Sequence, residues 1–161
     1  MKLINFFLLT LATSLATAAP LAAGKRTAGA NEAIYLTDCM TKSTTPQQWS
    51  QYSWYEDGRH KSQNGEAPDA TARINGLVGY VLWERGVGSS QCAWFGQLGD
   101  SVSACAEMPK DAATHNVGEK AGNLRRNGVS SEQQWTCYKD NDRFLYQTNG
   151  VQCNSKYYCF P

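Results

Sequence analysis

Two-residue turn signals divide most of this chain into short segments, and they constrain its fold more than any other feature. Asn-Gly and Asp-Gly pairs favour the tight turns of β-hairpins. Between them lie runs rich in aromatic and β-branched residues, which are typical of strands. The pairs occur at positions 57–58, 64–65, 75–76, 127–128 and 149–150. The sequence therefore predicts a chain of antiparallel strands.

The segments between these turns predict an all-β fold, a compact β-sandwich or β-barrel of about seven or eight antiparallel strands. The stretch 104–126 is rich in Ala, Glu, Lys and Gly and shows no clean alternation, so we expect a long loop there, or a short helix around 107–113. The predicted strands are 33–40, 49–56, 69–74, 77–85, 91–96, 133–139, 142–148 and 151–159.

The N-terminus has the features of a signal peptide. Lys2 provides a positive start, a run without charges follows, and Ala16-Thr17-Ala18 matches the small residues that precede a cleavage site. The apolar run, about 16 residues, is shorter than the ~20 residues of a membrane-spanning helix. Residues 1–18 are therefore predicted to be removed after Ala18 during export.

A short pro-segment is predicted to follow at residues 19–26. It ends in Lys25-Arg26, and a dibasic pair behind a signal peptide resembles the site of the Golgi Lys-Arg endoprotease of fungi and other eukaryotes. Cleavage after Arg26 would leave a single mature β domain, residues 27–161, which we expect to be secreted as a monomer. No later apolar run is long enough to span a bilayer.

The charge balance argues against nucleic-acid partners. The whole chain has 15 basic and 14 acidic residues, a formal net charge of +1. Loss of the leader would remove three basic residues and no acidic ones, which leaves a net charge of −2. A chain with this balance lacks the basic field that holds nucleic acid. The adjacent pair Arg125-Arg126 is expected to lie in a solvated loop.

The cysteines indicate three disulfides and no metal site. Their number is even, all of them lie after the leader, and exported chains commonly oxidise such cysteines. No Cys-x-x-Cys pair is present and the two histidines are remote from paired thiols, so neither a zinc site nor any other cofactor is predicted. The six residues are Cys39, Cys92, Cys105, Cys137, Cys153 and Cys159.

The C-terminal third predicts a three-stranded meander with an aromatic face. If both of its connections are two-residue turns, Trp135 faces Tyr146, which faces Cys153. On a continuous last strand, Cys153 and Cys159 share a face about 20 Å apart, too far for a disulfide. If the meander is unbroken, Cys137 and these two cysteines each bond a cysteine outside it, which leaves six of fifteen possible connectivities.

One group of side chains has the residue types of a secreted ribonuclease. Glu56, Arg59 and His60 lie together in the sequence, and His115 would complete a set of acid, base and phosphate-binding groups. Their spacing does not match that of the small secreted fungal ribonucleases. The alternative is that residues 56–60 form the solvated tip of a hairpin. The lipase-type motif Gly-x-Ser-x-Gly is absent.

The crowded aromatic residues are the stronger candidates for binding. Strand alternation places Trp49 and Tyr55 on one face of their strand, and Tyr52 and Trp54 on the other. A sheet with one solvated face would expose one of these pairs, whereas a strand covered on both sides would bury both. Trp83, Trp94 and Trp135 are expected in the core. The predicted binding residues are Trp49, Tyr52, Trp54, Tyr55, Tyr157 and Tyr158.

The leader, the Lys-Arg site, the six cysteines and the Cys-Tyr-Lys-Asp and Tyr-Tyr-Cys segments near the end resemble the small secreted cysteine-rich proteins of filamentous fungi. The resemblance implies an effector or elicitor that acts in the apoplast of a plant host by binding a host protein. It assigns no catalytic residue, and we expect no enzymatic activity. The alternatives are a ribonuclease-like hydrolase and a binder of cell-wall carbohydrate.

Overall fold

We describe a computed structural model over residues 29–74, 79–98, 102–128 and 132–161. The predicted signal peptide and pro-segment lie outside these residues. Three short 3₁₀ helices occur at Lys61–Gln63, Gly96–Leu98 and Ala112–Thr114. The strands are β1 (Ala33–Thr41), β2 (Gln48–Tyr55), β3 (Ala70–Arg73), β4 (Gln91–Trp94), β5 (Ser103–Glu107), β6 (Lys120–Asn127), β7 (Gln133–Lys139), β8 (Phe144–Thr148) and β9 (Val151–Phe160).

The strands form one antiparallel sheet that curves into a nearly closed barrel, which confirms the predicted all-β class. Their order is β3-β2-β1-β9-β7-β6-β5-β4, with β8 added beside β9. The two ends of the order, β3 and β4, approach each other across the remaining gap. The hydroxyl of Tyr52 connects β2 to the far side of the barrel, because it donates to the carbonyl of Gln91 and accepts from the amide of Ala106.

The predicted C-terminal meander is wrong, although its last hairpin is correct. Tyr146 pairs with Cys153 across the turn at 149–150, as expected. However, β7 does not pair with β8. Both strands lie one after the other along the same edge of β9, where Tyr138 pairs with Tyr158 and Thr148 with Val151. The segment 140–143 is therefore an interruption between two collinear strands and does not reverse the chain.

A β-bulge in β9 changes which face its side chains occupy. Leu36 of β1 pairs with Tyr157, but the register then shifts by one residue, which leaves Lys156 as an extra residue of β9. Such an insertion reverses the alternation of the strand. Cys153 consequently packs outside the barrel and Cys159 inside it, so the expectation that the two share a face is wrong.

The stretch 104–126 begins and ends in strands, which corrects part of the predicted loop, whereas residues 108–119 between β5 and β6 do form a long loop. It contains most of the hairpin of β5 and β6, and the expected short helix is a single 3₁₀ turn at Ala112–Thr114. Many of the side chains that this hairpin buries are small, among them Ala104, Ala106 and Ala121, although Leu124 is buried as well. Alanine and glycine have low strand propensity. The large aromatic side chains opposite fill the interior, and this tertiary packing outweighs the local preference.

The predicted strand 77–85 is not formed in the part that the structure describes, residues 79–85. This segment crosses the end of the barrel as an irregular chain, because its amides bond to scattered partners. The amide of Gly79 donates to the carbonyl of Gln48, and the amide of Val81 donates to the Ser50 hydroxyl. The other seven predicted strands correspond to β1, β2, β3, β4, β7, β8 and β9.

Two apolar clusters cover opposite faces of β1, β2 and β9. The barrel interior is the larger one and holds Tyr52, Trp54 and Trp135 among its buried side chains. The outer cluster lies under β8 and includes Tyr35, Tyr55, Leu145 and Tyr146. With both faces of β2 covered, Tyr52, Trp54 and Tyr55 are buried although they point to different sides of the sheet.

All six cysteines form disulfides, as predicted. Each bond joins two residues that lie directly opposite each other on neighbouring strands. We expected Cys137, Cys153 and Cys159 each to bond a cysteine from another part of the chain. Only Cys153 does so, whereas Cys137 and Cys159 bond each other, because β7 pairs with β9 and the predicted meander is not formed. The pairs are Cys39–Cys153, Cys92–Cys105 and Cys137–Cys159.

A buried ion pair ties the start of the domain to the barrel. Glu32 accepts hydrogen bonds from Arg126 and from the indole of Trp54, 3.0 Å away. The two charged side chains are 5% and 4% exposed. Arg126 also lies over the rings of Trp54 and Trp135, at 5.6 and 5.8 Å from their centres. The expectation of a solvated loop is therefore wrong for this arginine, whereas its neighbour Arg125 is exposed.

Candidate functional site

Most of the predicted binding aromatics are buried. Tyr52, Tyr55 and Tyr157 are 0% exposed and Trp54 is 4% exposed. Alternation along β2 is as predicted, since Tyr52 and Trp54 face the barrel interior and Tyr55 faces the outer cluster. Of the two alternatives for this strand, the one in which both faces are covered is therefore correct. These four side chains offer no surface for a ligand.

The other two predicted binding residues, Trp49 and Tyr158, are partly accessible. The indole N–H of Trp49 donates to Gln51 Oε1 at 2.8 Å, and the guanidinium of Arg73 lies 4.8 Å from its ring. Tyr158 stacks on Tyr138 with ring centres 5.5 Å apart. Both rings are thus occupied by neighbours within the protein.

The candidate ribonuclease residues are not brought together. His60 is on a surface turn, where its Nδ1 lies 2.9 Å from Asp57 Oδ2. This hydrogen bond holds the pKa of Asp57 below its usual range. His115 follows the 3₁₀ turn between β5 and β6, and its Nδ1 lies 2.9 Å from the carbonyl of Lys120. In the described chain no hydrogen bond joins either histidine to Arg59 or to the other histidine.

An exposed apolar surface lies on and beside the edge strand β4. We define it by Leu82, Val87 and Trp94, which are 67%, 84% and 64% exposed. The segment that carries the first two is bonded to the end of β5, because the amide of Gly86 donates to the carbonyl of Met108 and the amide of Gly88 to the Glu107 carboxylate. Trp94 lies about 10 Å along β4 from its first residue. β4 and the segment that precedes it therefore present three large apolar side chains to solvent.

The expectation that Trp94 is a core residue is wrong, while Trp83 and Trp135 are buried as predicted. Alternation explains the difference. Along β4 and the residue after it, Ala93 and Phe95 face the interior, which turns Trp94 outward. Period-2 alternation along this segment would have predicted an exposed Trp94. The prediction of a core residue was based instead on the apolar side chains next to it in the sequence.

A small acidic pocket opens where β1, β9 and segment 140–143 meet. Its volume is about 100 Å³. The charged groups in it are Asp38, Asp142 and Lys156, and its remaining walls are formed by Met40, Tyr80, Gln152 and Asn154. Sequence reasoning missed this pocket, because it depends on the bulge at Lys156 and on the collinear arrangement of β7 and β8.

The carboxylate of Asp38 is held firmly at the base of the pocket. Its Oδ1 accepts hydrogen bonds from the Ser50 hydroxyl at 2.5 Å and from the Trp83 indole at 3.3 Å. The side chain is 10% exposed. Burial raises the pKa of Asp38 above its ordinary value, and these hydrogen bonds and the charge of Lys156 oppose that rise.

Lys156 stays positively charged within the pocket. Its Nζ lies 2.9 Å from Asp142 Oδ2 and 3.8 Å from Asp38 Oδ2. Burial alone would lower the pKa of Lys156, but the hydrogen bond to Asp142 and the surrounding carboxylates raise it. With all three groups ionised the pocket carries a net charge of −1. Glu84, which accepts a hydrogen bond from Tyr157, adds negative potential nearby.

Neither a metal cluster nor a membrane-spanning helix is found in the described ranges. No group of three or more His, Cys, Asp or Glu side chains there is arranged to hold a metal ion. Likewise, no helix within them is long and apolar enough to cross a membrane. Comparison with models of protein families, with curated proteins and with solved structures finds no match to this chain.

Proposed function

We propose that this protein is exported and acts as an effector or elicitor, by binding a protein of a plant host through the apolar surface formed by Leu82, Val87 and Trp94. The exposure of these three side chains is the observation that carries the proposal. Export is supported by the leader-like residues 1–26 and by the three disulfides, which are typical of oxidising compartments.

The apolar surface has the composition of a protein-binding site. Large apolar side chains exposed together mark interaction surfaces, and tryptophan is enriched among the residues that dominate binding energy. The surface also has a rigid support, because the Cys92–Cys105 disulfide joins β4 to β5 on the same outer face of β4 as Trp94. A preorganised surface loses little conformational entropy when a partner binds.

The test is a comparison of leaf responses to the purified protein and to Trp94→Ala. Truncation of a central tryptophan commonly costs more than about 2 kcal/mol, roughly a 30-fold loss of affinity. We expect the dose that causes cell death or a defence response to rise by at least about ten-fold. Phe144→Ala is the matched control, because Phe144 is an aromatic residue of β8 that is 49% exposed and lies outside the apolar surface.

The proposal fails if the wild-type protein causes no response and no change in susceptibility across several hosts. It also fails if Trp94→Ala and Phe144→Ala act at the same dose as the wild type. Folding of both variants is checked by thermal melting, and neither side chain supports the core, so unfolding is not expected to confuse the result.

A cell-wall carbohydrate is the second candidate, and the exposed indole of Trp94 is the observation that favours it. Aromatic rings can stack on sugar rings, and this one is 64% exposed. Retention of the wild-type protein on chitin, cellulose or β-glucan, together with loss of retention by Trp94→Ala, would favour this function over the binding of a host protein. No retention on any of the three would exclude it.

A further inference from the structure

The acidic pocket has the features of a ligand site that is separate from the apolar surface. It is concave, and several polar groups converge in it beside the exposed ring of Tyr80, which is 42% exposed. These groups come from three parts of the chain that are distant in sequence, namely β1, segment 79–82 and the region 142–156. The barrel itself brings them together.

One carboxylate oxygen in the pocket is available to a ligand. Oδ1 of Asp38 already accepts two hydrogen bonds. Within the described residues no donor makes a hydrogen bond to Oδ2, whose nearest cation, Lys156 Nζ, is 3.8 Å away. The nearby Asp142 shares its charge with Lys156 at 2.9 Å. A ligand that enters the pocket therefore meets a partly desolvated acceptor, which is ion-paired with Lys156 but beyond hydrogen-bond distance of it, in a site of net charge −1.

The remaining groups favour a ligand with hydroxyls. The side chains of Gln152 and Asn154 each carry both a donor and an acceptor, and the two amides are themselves joined at 3.3 Å. Such pairs can donate to one hydroxyl and accept from the next. Tyr80 supplies an aromatic wall, which attracts a cation and packs against C–H groups. Asn154 also donates to the carbonyl of Asp142 at 3.2 Å, and each amide keeps one further N–H and one further lone pair for a ligand. An ammonium group on a hydroxylated ring offers a complementary group to the carboxylate, the amides and the aromatic wall.

We propose that the acidic pocket binds an amino-sugar unit, with the ammonium group on Asp38 Oδ2, the ring hydroxyls on Gln152 and Asn154, and one face of the ring against Tyr80. The volume of about 100 Å³ accommodates the substituted edge of one sugar ring, with the rest of the ligand in solvent. This inference goes beyond the proposed function and does not depend on it, because none of these residues belongs to the apolar surface.

The test is a titration followed by amide NMR, using the disulfide-bonded protein expressed from the full-length sequence. The probes are glucosamine, N-acetylglucosamine, glucose and Nα-acetyl-lysine amide, at a pH near 6 where the free amines are protonated. We expect glucosamine to shift the resonances of Asp38, Tyr80 and Asn154 with saturation. N-acetylglucosamine, whose amine is acetylated, and glucose, which lacks the amine, should bind at least about ten-fold more weakly than glucosamine, because a charge-assisted hydrogen bond is lost.

Three variants locate the site. Asp38→Asn keeps the acceptor for Ser50 and Trp83 but removes the charge, and should weaken glucosamine binding at least about ten-fold. Tyr80→Ala alters a half-exposed loop residue, so it tests the same site without a change to the base of the pocket. The matched control is Glu132→Gln, which removes one negative charge from a side chain that is 51% exposed and pairs with Arg125.

The outcomes decide the proposal in either direction. It is overturned if glucosamine does not bind, if N-acetylglucosamine or glucose binds equally well, or if Asp38→Asn and Tyr80→Ala both bind like the wild type. Equal binding of Nα-acetyl-lysine amide would show that the ammonium group alone is recognised, and would also overturn an amino-sugar site. The proposal is supported if the protein binds glucosamine selectively, if Glu132→Gln retains this binding, and if Asp38→Asn and Tyr80→Ala both lose it.

Discussion

The buried pair of Glu32 and Arg126 offers a sharp test of how this barrel is held together. The change is Glu32→Gln, which keeps one side-chain acceptor but removes the negative charge. Arg126 would then be an uncompensated cation whose side chain is 4% exposed. Its Nε already lacks a hydrogen-bond partner, so the guanidinium has little other support.

The expected loss of stability in Glu32→Gln is large for a single polar substitution. Removal of one partner of a buried ion pair typically costs about 3–5 kcal/mol. The rings of Trp54 and Trp135 lie within 6 Å of the guanidinium and retain part of the stabilisation. We therefore expect the free energy of unfolding to fall by about 3 kcal/mol. The double variant Glu32→Gln/Arg126→Met should lose only about 1 kcal/mol, because no isolated charge remains.

The measurement is equilibrium unfolding in guanidinium chloride with the disulfides intact. The adjacent arginine provides the control, since Arg125 and Glu132 form an exposed pair 3.9 Å apart. Glu132→Gln should cost about 0–1 kcal/mol. A loss below about 1 kcal/mol for Glu32→Gln would refute the reasoning. So would a double variant whose loss equals the sum of the two single losses, because the charges would then be uncoupled.

Three further predictions concern other parts of the barrel. Replacing Cys39 and Cys153 with alanine removes a cross-link between residues separated by 114 positions in the sequence. The free energy of unfolding in guanidinium chloride should then fall by about 5 kcal/mol, and an unchanged unfolding midpoint would contradict this. Burial raises the pKa of Asp38 above 3.8, so folding disfavours its charged form. Asp38→Asn should therefore raise the melting temperature at pH 7, with a gain that disappears below pH 3.8; a lower melting temperature at pH 7 would show the sign to be wrong. Gly122→Ala should destabilise by about 1–3 kcal/mol, because its Cβ would lie 2.6 Å from the carbonyl oxygen of Glu107; wild-type stability in thermal melting would argue against a rigid contact there.

The sequence correctly predicted those hairpins in which a clear turn signal is flanked by segments with a clear strand pattern. The Asn149-Gly150 turn and the aromatic strands around it are examples, since both residues have the positive φ that such a turn requires. The hairpin of β5 and β6 could not be found in this way. Many of its buried side chains are small and lie across the interior from large ones such as Tyr52, whose hydroxyl bonds to the amide of Ala106, and that complementarity is visible only in three dimensions.

The acidic pocket was missed for a different physical reason. Its residues look unremarkable in sequence, because Asp142 reads as a turn residue and Lys156 as the solvent side of a strand. A single inserted residue in β9 and an interruption opposite it bring the two within 2.9 Å. The exposed apolar surface was not predicted either, because Trp94 was expected in the core, although strict alternation along β4 turns it outward.

The central place of β9 has a consequence for how the chain reaches this structure during synthesis. β9 pairs with β1, β7 and β8, yet it comprises residues 151–160 and is synthesised after all three. Until then one edge of β1 has no partner, and the only native disulfide that can close is Cys92–Cys105. Early oxidation of Cys39 would thus favour a non-native partner, so a chain of this design benefits from a disulfide isomerase or from slow oxidation. Assembly of the barrel therefore waits for the synthesis of β9.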